Sequence, residues 1–216
     1  MAKIFISNTC TGIELIKLNN IYPYNNPFIS TFIPNDFDYI KLINNFLKYI
    51  YIEPILGDPS KNSLFAIQNN GLYCRHPAID IKYPIIYLDD IEIHCIHEKL
   101  SDSVLYLEKF KRRLLRCQDI INTNNYKIIA TLSFSELIND HNDLNILINE
   151  YLTNINNNLN IIKVFVGPSK YKNNYINYIA IDEWNNISLE RNDSHVYIFN
   201  NQPFLANKIN EYIKYL

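Results

Sequence analysis

Glycine is scarce in this chain of 216 residues, which contains only four. They stand far apart in the sequence, at Gly12, Gly57, Gly71 and Gly167. A dinucleotide-binding G-x-G-x-x-G turn and a Walker A loop both need closely spaced glycines. The sequence therefore excludes both of these phosphate-binding loops.

Cysteine is equally rare, with four residues scattered along the chain at Cys10, Cys74, Cys95 and Cys117. No two of them form a C-x-x-C pair. Disulfide frameworks and structural zinc sites usually show recurrent, close cysteine spacings. The pattern favours free thiols in a reducing compartment.

Long apolar runs and excess charge are also missing. No uninterrupted apolar run approaches the ~18 residues of a membrane-spanning helix. The first apolar run, Ile4-Phe5-Ile6, is too short for a signal peptide. The formal net charge of -2 gives no electrostatic reason to bind nucleic acid or a membrane surface. We expect a soluble cytoplasmic protein with no nucleic-acid partner and no membrane insertion.

Hydrophobic residues make up 48% of the chain and aromatic residues 13%, which is typical of a folded globular protein. Apolar segments of strand length alternate with segments of helical periodicity. We predict a single α/β domain over residues 1–216, Rossmann-like, with a mostly parallel or mixed central sheet and helices on both faces. The predicted strands include 4–7, 126–132, 161–166, 175–181 and 195–199. A helix capped by Asn35 or Asp36 is predicted through about Tyr51, a hairpin at 64–75, and an amphipathic helix over 205–215.

The most informative stretch runs from residue 83 to residue 98. Interpreted as one strand, its alternation puts Asp90, Glu92 and His94 on one face. Carboxylates on a buried strand are costly, so this face indicates a solvent-filled groove or a site. The alternative is an edge strand with one solvated face.

A histidine that acts as general base beside a carboxylate needs the fewest assumptions here, because imidazole titrates near neutral pH. The candidate bases are His97 and His94, and Asp90 or Glu92 would orient them. His94 and His97 also form an H-x-x-H, but on a strand they point to opposite faces and no second ligand pair stands at zinc spacing. We therefore expect no metal.

A second polar segment, 7–12, links the first strand to a helix. Small polar residues at this position place donors at a helix N-terminus, where α/β proteins bind anions and polar ligands. Ordinary helix capping explains the same residues without a ligand. Cys10 would be nucleophilic if its pKa were lowered, or simply buried. The residues predicted to bind substrate are Ser7, Asn8, Thr9 and Gly12, together with Asn25 and Asp89.

A long helix is predicted to begin at Ser101. Its apolar stripe consists of Leu107, Phe110, Leu114 and Cys117, and its basic face of Lys109, Arg112, Arg113 and Arg116. Basic helix faces are commonly just solvated. Because this face follows the acidic-histidine segment, we predict that Arg112, Arg113 and Arg116 bind phosphate groups of a ligand.

Four motif blocks occur in a fixed order: Ser7-Asn8-x-Cys10-x-Gly12, Tyr24-Asn25-x-Pro27-Phe28, Tyr83-Pro84 followed by Leu88-Asp89-Asp90-Ile91-Glu92-Ile93-His94-x-x-His97, and Arg112-Arg113-x-x-Arg116. Over residues 3 to 120 the pattern resembles a poorly characterised family of exopolysaccharide-biosynthesis proteins from bacterial capsule loci and giant DNA viruses. The chain departs from that pattern at Thr11 and Phe110, where the family tends to have an aromatic residue and tryptophan, and at Glu98, where it usually has tyrosine.

The resemblance implies a sugar-modifying enzyme of glycan assembly, working in the host cytoplasm if the protein is viral. The expected reaction moves an acetyl group from acetyl-CoA, as co-substrate, to the amine of a nucleotide-linked amino-deoxysugar such as viosamine. His97 or His94 would accept the amine proton. The turn from Asn8 to Gly12 would supply donors to the thioester oxygen, and the three arginines would bind the diphosphates. A homo-oligomer is compatible with this reading.

Three other functions fit the same residues. A glycosyltransferase would use Asp89 and Asp90 as a metal-binding pair, and a papain-like hydrolase would use Cys10 with His97. A non-catalytic glycan-binding module would stack sugar rings on the many tyrosines.

Overall fold

The structure is a computed structural model. It describes residues 1–8, 11–29, 31–33, 35–57, 83–95, 98–133, 141–153, 160–169, 177–182 and 191–215. The strands in these parts are β1 (Ala2–Ser7), β2 (Ile55–Leu56), β3 (Ile85–Leu88), β4 (Ile91–His94), β5 (Tyr126–Ser133), β6 (Ile161–Pro168) and β7 (Tyr178–Ile181). The helices are α1 (Thr11–Leu18), α2 (Asp36–Asn44), α3 (Phe46–Ile50), α4 (Ser103–Asn122), α5 (His141–Thr153) and α6 (Arg191–Ile213), with 3-10 turns at Pro27–Ile29 and Leu100–Asp102.

The main sheet has the strand order β1-β5-β6-β7, and every neighbouring pair in it is parallel. Its strands are nearly continuous apolar runs, as expected when both faces of a parallel sheet are covered. The predicted α/β class with a mostly parallel sheet is confirmed. Parallel strands end at a common edge, so the C-terminal residues of β1 and β5 lie side by side.

Helices cover both faces of this sheet. The register aligns Ile6, Ala130 and Lys163 on one face. On that face the hydroxyl of Tyr151 in α5 donates to the carbonyl of Ala130 at 2.6 Å, and Lys163 donates to Asn44 at the end of α2. Ser7 faces the other way, because side chains alternate along a strand. A Cβ placed on Gly12 would lie 3.4 Å from the Cβ of Ser7, so α1 packs on the opposite face, where it also contacts α6.

The open edge of β1 is covered by asparagine side chains. The carbonyls of Lys3 and Phe5 point away from β5, because alternate residues of a strand face alternate edges. Asn25 Nδ2 donates to the Lys3 carbonyl at 2.6 Å, and Asn26 Nδ2 donates to the Phe5 carbonyl at 3.0 Å. Asn26 Oδ1 also accepts from the N–H of Phe28 at 3.0 Å. These side chains satisfy the exposed strand edge and fix the loop before the 3-10 turn.

A second, antiparallel sheet has the order β2-β3-β4. It corrects the prediction that residues 83–98 form one strand, because β3 and β4 pair as a hairpin with Leu88 opposite Ile91. Asp89 and Asp90 form the two-residue turn, and Asp89 has a φ of 59°. Aspartate tolerates this left-handed conformation better than most residues. Asp90 therefore belongs to the turn and not to the strand face that carries Glu92 and His94.

Three further predictions meet different outcomes. The strand predicted at 195–199 is wrong, because α6 runs through these residues. Valine, tyrosine, isoleucine and phenylalanine favour strands locally, but packing of α6 against α1 overrides that preference. The helix predicted after Asn35 is confirmed but breaks at Asn45 into α2 and α3. A predicted hairpin at 64–75 lies outside the described residues.

None of the described helices is long and apolar enough to cross a membrane.

Candidate active site

His94 lies at the end of β4 and is fully buried. Its Nδ1 atom is 3.0 Å from the hydroxyl of Tyr83, and its Nε2 atom makes a short contact with Oε1 of Glu92. The β4 backbone at His94 is also paired with Phe32, through N–H to carbonyl bonds of 2.8 Å in both directions. The imidazole is therefore held at both nitrogens and through its backbone.

The partners of His94 define its tautomer. An ionised carboxylate only accepts hydrogen bonds, so Nε2 carries a proton and donates to Glu92. In the neutral ring Nδ1 is then the acceptor for the Tyr83 hydroxyl. Glu92 and His94 thus form a carboxylate–imidazole pair, but the predicted role of His94 as an accessible base is corrected, because its ring is fully buried.

Glu92 is the member of this group that reaches solvent. Its side chain is 19% exposed, whereas that of His94 is 0% exposed. The second carboxylate oxygen, Oε2, accepts from the hydroxyl of Tyr87 at 2.9 Å, since Tyr87 stands directly opposite Glu92 in the hairpin. Tyr83, His94, Glu92 and Tyr87 form one continuous chain of hydrogen bonds, which we term the hairpin network. Within it, the Glu92 carboxylate is held at both oxygens and remains partly exposed to solvent.

Asp38 of α2 adds a second carboxyl group beside Glu92. Burial raises the pKa of Asp38, and the nearby charges of Asp90 and Glu92 raise it further, while Lys41 lowers it. This side of the hairpin therefore carries several acidic groups close together, with Lys41 among them.

Asp89 and Asp90 attach the hairpin turn to the helices. Lys48 donates to Oδ2 of Asp89 at 2.9 Å, and Lys41 pairs with Oδ2 of Asp90. Tyr49 donates to Oδ1 of Asp90 at 2.9 Å, and hydrogen bonds from Lys41 and Tyr49 lower the pKa of that carboxyl group. A different lysine neutralises each aspartate, so neither contributes to the hairpin network.

The turn after β1 is bound into the sheet edge by Asn8. Its Nδ2 atom donates to Oδ1 of Asp36 at 3.0 Å and to the carbonyl of Ser133 at 2.9 Å. Its Oδ1 atom accepts from the N–H of Ser133 at 3.0 Å. Both amide protons of Asn8 are therefore occupied, and this side chain joins the ends of β1 and β5 to the first residue of α2.

The first turn of α1 lies beside the hairpin. Ile13 packs against a small apolar cluster formed by Phe32, Tyr83 and Ile85. Phe32 is the backbone partner of His94, and Tyr83 is its hydrogen-bond partner. Ser7 is buried, and Gly12 abuts the carbonyl of Ile29, where a Cβ would stand at 3.4 Å. Helix α1, which follows segment 7–12, therefore contacts the residues that hold His94.

A separate pocket of about 410 Å³ opens between α4 and the turn at residues 22–24. Its lining consists of Tyr22, Pro23, Tyr24, Lys109, Arg112, Arg113 and Arg116. We term it the basic pocket. All three arginines predicted to bind phosphate line it, so the structure brings them together in one cavity.

Arg113 differs from its prediction, because it does not lie on a solvated helix face. The side chain is buried at 6% exposure, with its guanidinium 4.9 Å from the ring centre of Tyr24. Arg116 donates to the backbone carbonyl of Tyr24 at 3.2 Å. Two motif blocks of the sequence, around Tyr24-Asn25 and around Arg112-Arg113, therefore meet here. Asn25 itself binds the edge of β1.

The structure does not test the predicted roles of some residues. Thr9, Cys10 and His97 lie outside the described residues, and with them the predicted hydrolase pair. Of the remaining cysteines, Cys95 and Cys117 are buried free thiols, and burial raises the pKa of Cys117 to about 12 and that of Cys95 further. Within the described parts of the chain, no three His, Cys, Asp or Glu residues are grouped as a metal site would require.

Sequence reasoning missed Tyr87, Asp38 and the tyrosines of the basic pocket. The signal for Tyr87 was present, because Asp89-Asp90 between two apolar runs marks a hairpin turn. With that turn in place, register alone puts Tyr87 opposite Glu92 and Ile85 opposite His94. The position of Asp38 depends on how α2 packs against β4, which no local pattern encodes.

Comparison with known proteins identifies a family. The sequence model of a family described as "Domain of unknown function (DUF1919)" matches residues 3–200. No curated protein matches the chain significantly. No solved structure does so either.

Proposed function

The chain belongs to the DUF1919 family, whose model spans most of its length, and we propose that it is a sugar-modifying enzyme of glycan assembly. The resemblance of its four motif blocks to exopolysaccharide-biosynthesis proteins of capsule loci and giant viruses supports this setting. Within it, we propose an N-acetyltransferase that acts on a nucleotide-linked amino-deoxysugar of the viosamine type.

The proposed reaction forms an amide bond and breaks a thioester bond. The sugar amine arrives as an ammonium ion and loses a proton to a base. The free amine attacks the carbonyl carbon of acetyl-CoA, and the carbon–sulfur bond then breaks. The products are the N-acetylated sugar and coenzyme A, whose sulfur leaves as a thiolate that takes up a proton.

The observation that carries the proposal is the hairpin network, because it holds a partly exposed carboxylate against a buried imidazole. We assign Glu92 as the base that receives the amine proton. His94 is a positioning residue that orients Glu92, since its own ring is fully buried. Asp38, whose pKa is raised by burial and by its acidic neighbours, adds negative charge that attracts the ammonium group.

The thioester oxygen develops negative charge during the attack and needs hydrogen-bond donors. The side chain of Asn8 is not available, because both of its amide protons are already bound. We assign this role to backbone N–H groups in the first turn of α1, around Thr11 and Gly12. These groups lie at the positive end of the helix dipole, which favours developing negative charge.

The test is to incubate the purified chain with acetyl-CoA and UDP-linked 4-amino-4,6-dideoxyglucose and to follow both products. Mass spectrometry detects the acetylated sugar nucleotide, and a thiol reagent detects coenzyme A. We expect equal amounts of the two products. Glu92→Gln should lower the rate about 10²- to 10⁴-fold, the usual contribution of a general base.

The matched control is Glu108→Gln, which makes the same change on an exposed position of α4 and should keep the wild-type rate. Release of coenzyme A without an acetylated sugar would contradict the proposal, as would full activity in Glu92→Gln. A panel of other UDP- and dTDP-linked amino sugars covers substrates with the amine at another carbon. Turnover of none of them would remove the acetyltransferase assignment.

A further inference from the structure

Two arginines of the basic pocket, Arg112 and Arg116, carry charge that no described carboxylate neutralises. Lys109 is paired with Glu98 at 2.6 Å, and Arg113 lies over the ring of Tyr24. Among the described residues, no carboxylate lies within ion-pairing distance of Arg112 or Arg116. These two side chains are exposed on α4 and stand four positions apart. Like charges at this spacing destabilise a helix slightly, so the pair is a cost to the free protein.

The spacing of these arginines matches a chain of two phosphoryl groups. Residues i and i+4 are neighbours on one helix face, with Cβ atoms roughly 5–6 Å apart. Guanidinium groups bind phosphate oxygens through paired hydrogen bonds and remain charged at any physiological pH. Two of them side by side can each bind one phosphate of a diphosphate.

An aromatic surface stands across the pocket from these charges. Tyr22 and Tyr24 are stacked, with ring centres 5.4 Å apart and planes inclined by 30°. One face of Tyr22 therefore packs on Tyr24, while 66% of the residue remains exposed. An exposed, flat aromatic ring beside a phosphate site is a typical platform for a nucleobase.

The two halves of the pocket are fixed relative to each other. Arg116 is bonded to the Tyr24 carbonyl and Arg113 packs on its ring, so α4 holds the turn in place. The amides of Asn25 and Asn26 attach the same loop to the edge of β1. The pocket is therefore formed without a ligand, which reduces the entropy lost on binding.

We infer that the basic pocket binds a nucleoside diphosphate, with the base stacked on Tyr22 and the diphosphate held by Arg112 and Arg116. Its volume of about 410 Å³ lies in the range of small-molecule sites. The identity of the nucleotide rests on the proposed function, because coenzyme A and a nucleotide sugar both contain this group. The pocket itself depends only on the residues that line it.

The test is isothermal titration calorimetry of the full chain with UDP, ADP and coenzyme A. Uridine, which lacks phosphate, and pyrophosphate, which lacks a base, are titrated in parallel. We expect at least one of the three nucleotides to bind at least about tenfold more tightly than both fragments, a difference that one charged hydrogen bond or one stacking contact supplies. Tighter binding of UDP assigns the pocket to the sugar nucleotide, and tighter binding of coenzyme A assigns it to the acetyl donor.

Substitutions locate the binding on this pocket. Arg112→Gln and Arg116→Gln should each weaken nucleotide binding about tenfold or more, and Tyr22→Ala about fivefold to 100-fold. The matched control is Lys111→Gln, which removes one positive charge from the same helix outside the pocket and should change binding less than about twofold. Circular dichroism confirms that each variant remains folded.

Three results would overturn the inference: no binding of any nucleotide at millimolar concentration, pyrophosphate binding as tightly as the nucleotides, or nucleotide binding that is unchanged in Arg112→Gln and Tyr22→Ala. Failure of the proposed function looks different. A chain that binds nucleotides in this pocket but transfers no acetyl group would keep the inference and contradict the acetyltransferase.

Discussion

The hairpin network and the basic pocket differ in whether their polar groups have partners within the protein. In the hairpin network every polar group has a partner inside the protein: His94 is bound at both nitrogens, and Glu92 at both oxygens. In the basic pocket, by contrast, Arg112 and Arg116 have no carboxylate partner among the described residues. The network is buried or nearly so, whereas the pocket is open.

This difference separates groups that hold one another in position from groups that bind a ligand. A buried polar chain stabilises one geometry, because each group would lose its partner if another moved. A surface charge without a carboxylate partner contributes little to the stability of the free protein and gains an opposite charge only from a ligand. We therefore assign chemistry to the network and ligand binding to the pocket, and the following predictions test that division.

The largest expected effect is on stability, from His94→Ala. The change removes a buried ring and leaves the Tyr83 hydroxyl and the Glu92 carboxylate without their partner. We expect a loss of about 3 kcal/mol in the free energy of unfolding, the range for breaking a buried polar network. Urea denaturation followed by circular dichroism measures it. A loss below about 1 kcal/mol would mean that His94 is not integral to the fold.

A matched pair of tyrosine substitutions compares the regions directly. Tyr83→Phe removes a buried hydroxyl bound to His94 and should cost about 1 kcal/mol. Tyr22→Phe removes an exposed hydroxyl and should fall within about 0.5 kcal/mol of wild type. The same urea experiment applies to both. Equal losses of unfolding free energy at the two positions would contradict the proposed difference between the network and the pocket.

The variant Arg112→Gln should not destabilise the free protein. Loss of one of two like charges at i and i+4 relieves repulsion worth about 0.2–0.5 kcal/mol, and Arg116 keeps its hydrogen bond to the Tyr24 carbonyl. We expect an unchanged or slightly raised melting temperature at low salt, and no difference at high salt, where the charges are screened. A clear drop in the melting temperature would show that Arg112 supports the fold.

The smallest effect concerns the hairpin turn and depends on pH. Hydrogen bonds from Lys41 and Tyr49 lower the pKa of Asp90 in the folded state. The contribution of this carboxylate is thus present above its ordinary pKa of 3.8 and is lost as the pH falls through the lower folded value. Asp90→Asn should be slightly less stable than wild type at pH 7, and the difference should vanish in strong acid. Thermal melts of both proteins across this range measure it.

The positions of the main-sheet strands along the chain were predictable, because long apolar strands carry a strong periodic signal. The same holds for the amphipathic helices. The single strand assigned to residues 83–98 was wrong, since the Asp89-Asp90 turn preserves an apparent alternation on both sides of it. Residues 195–199 were misassigned because their local strand preference yields to the contact between α6 and α1.

The candidate site was predictable only in part. The pairing of Glu92 with His94 follows from two residues on one strand face. Burial of Arg113 does not follow, because it depends on where the loop carrying Tyr24 crosses α4. Such contacts join residues about ninety positions apart in sequence, and no local pattern encodes them.

The most direct test of the division between network and pocket is steady-state kinetics of acetyl transfer in Glu92→Gln and Arg112→Gln. We predict that Glu92→Gln lowers kcat about 10²- to 10⁴-fold with little change in KM, as expected for loss of a general base. Arg112→Gln should instead raise KM for one of the two substrates about tenfold at nearly constant kcat. The reverse pattern, or the same pattern in both variants, would contradict the account.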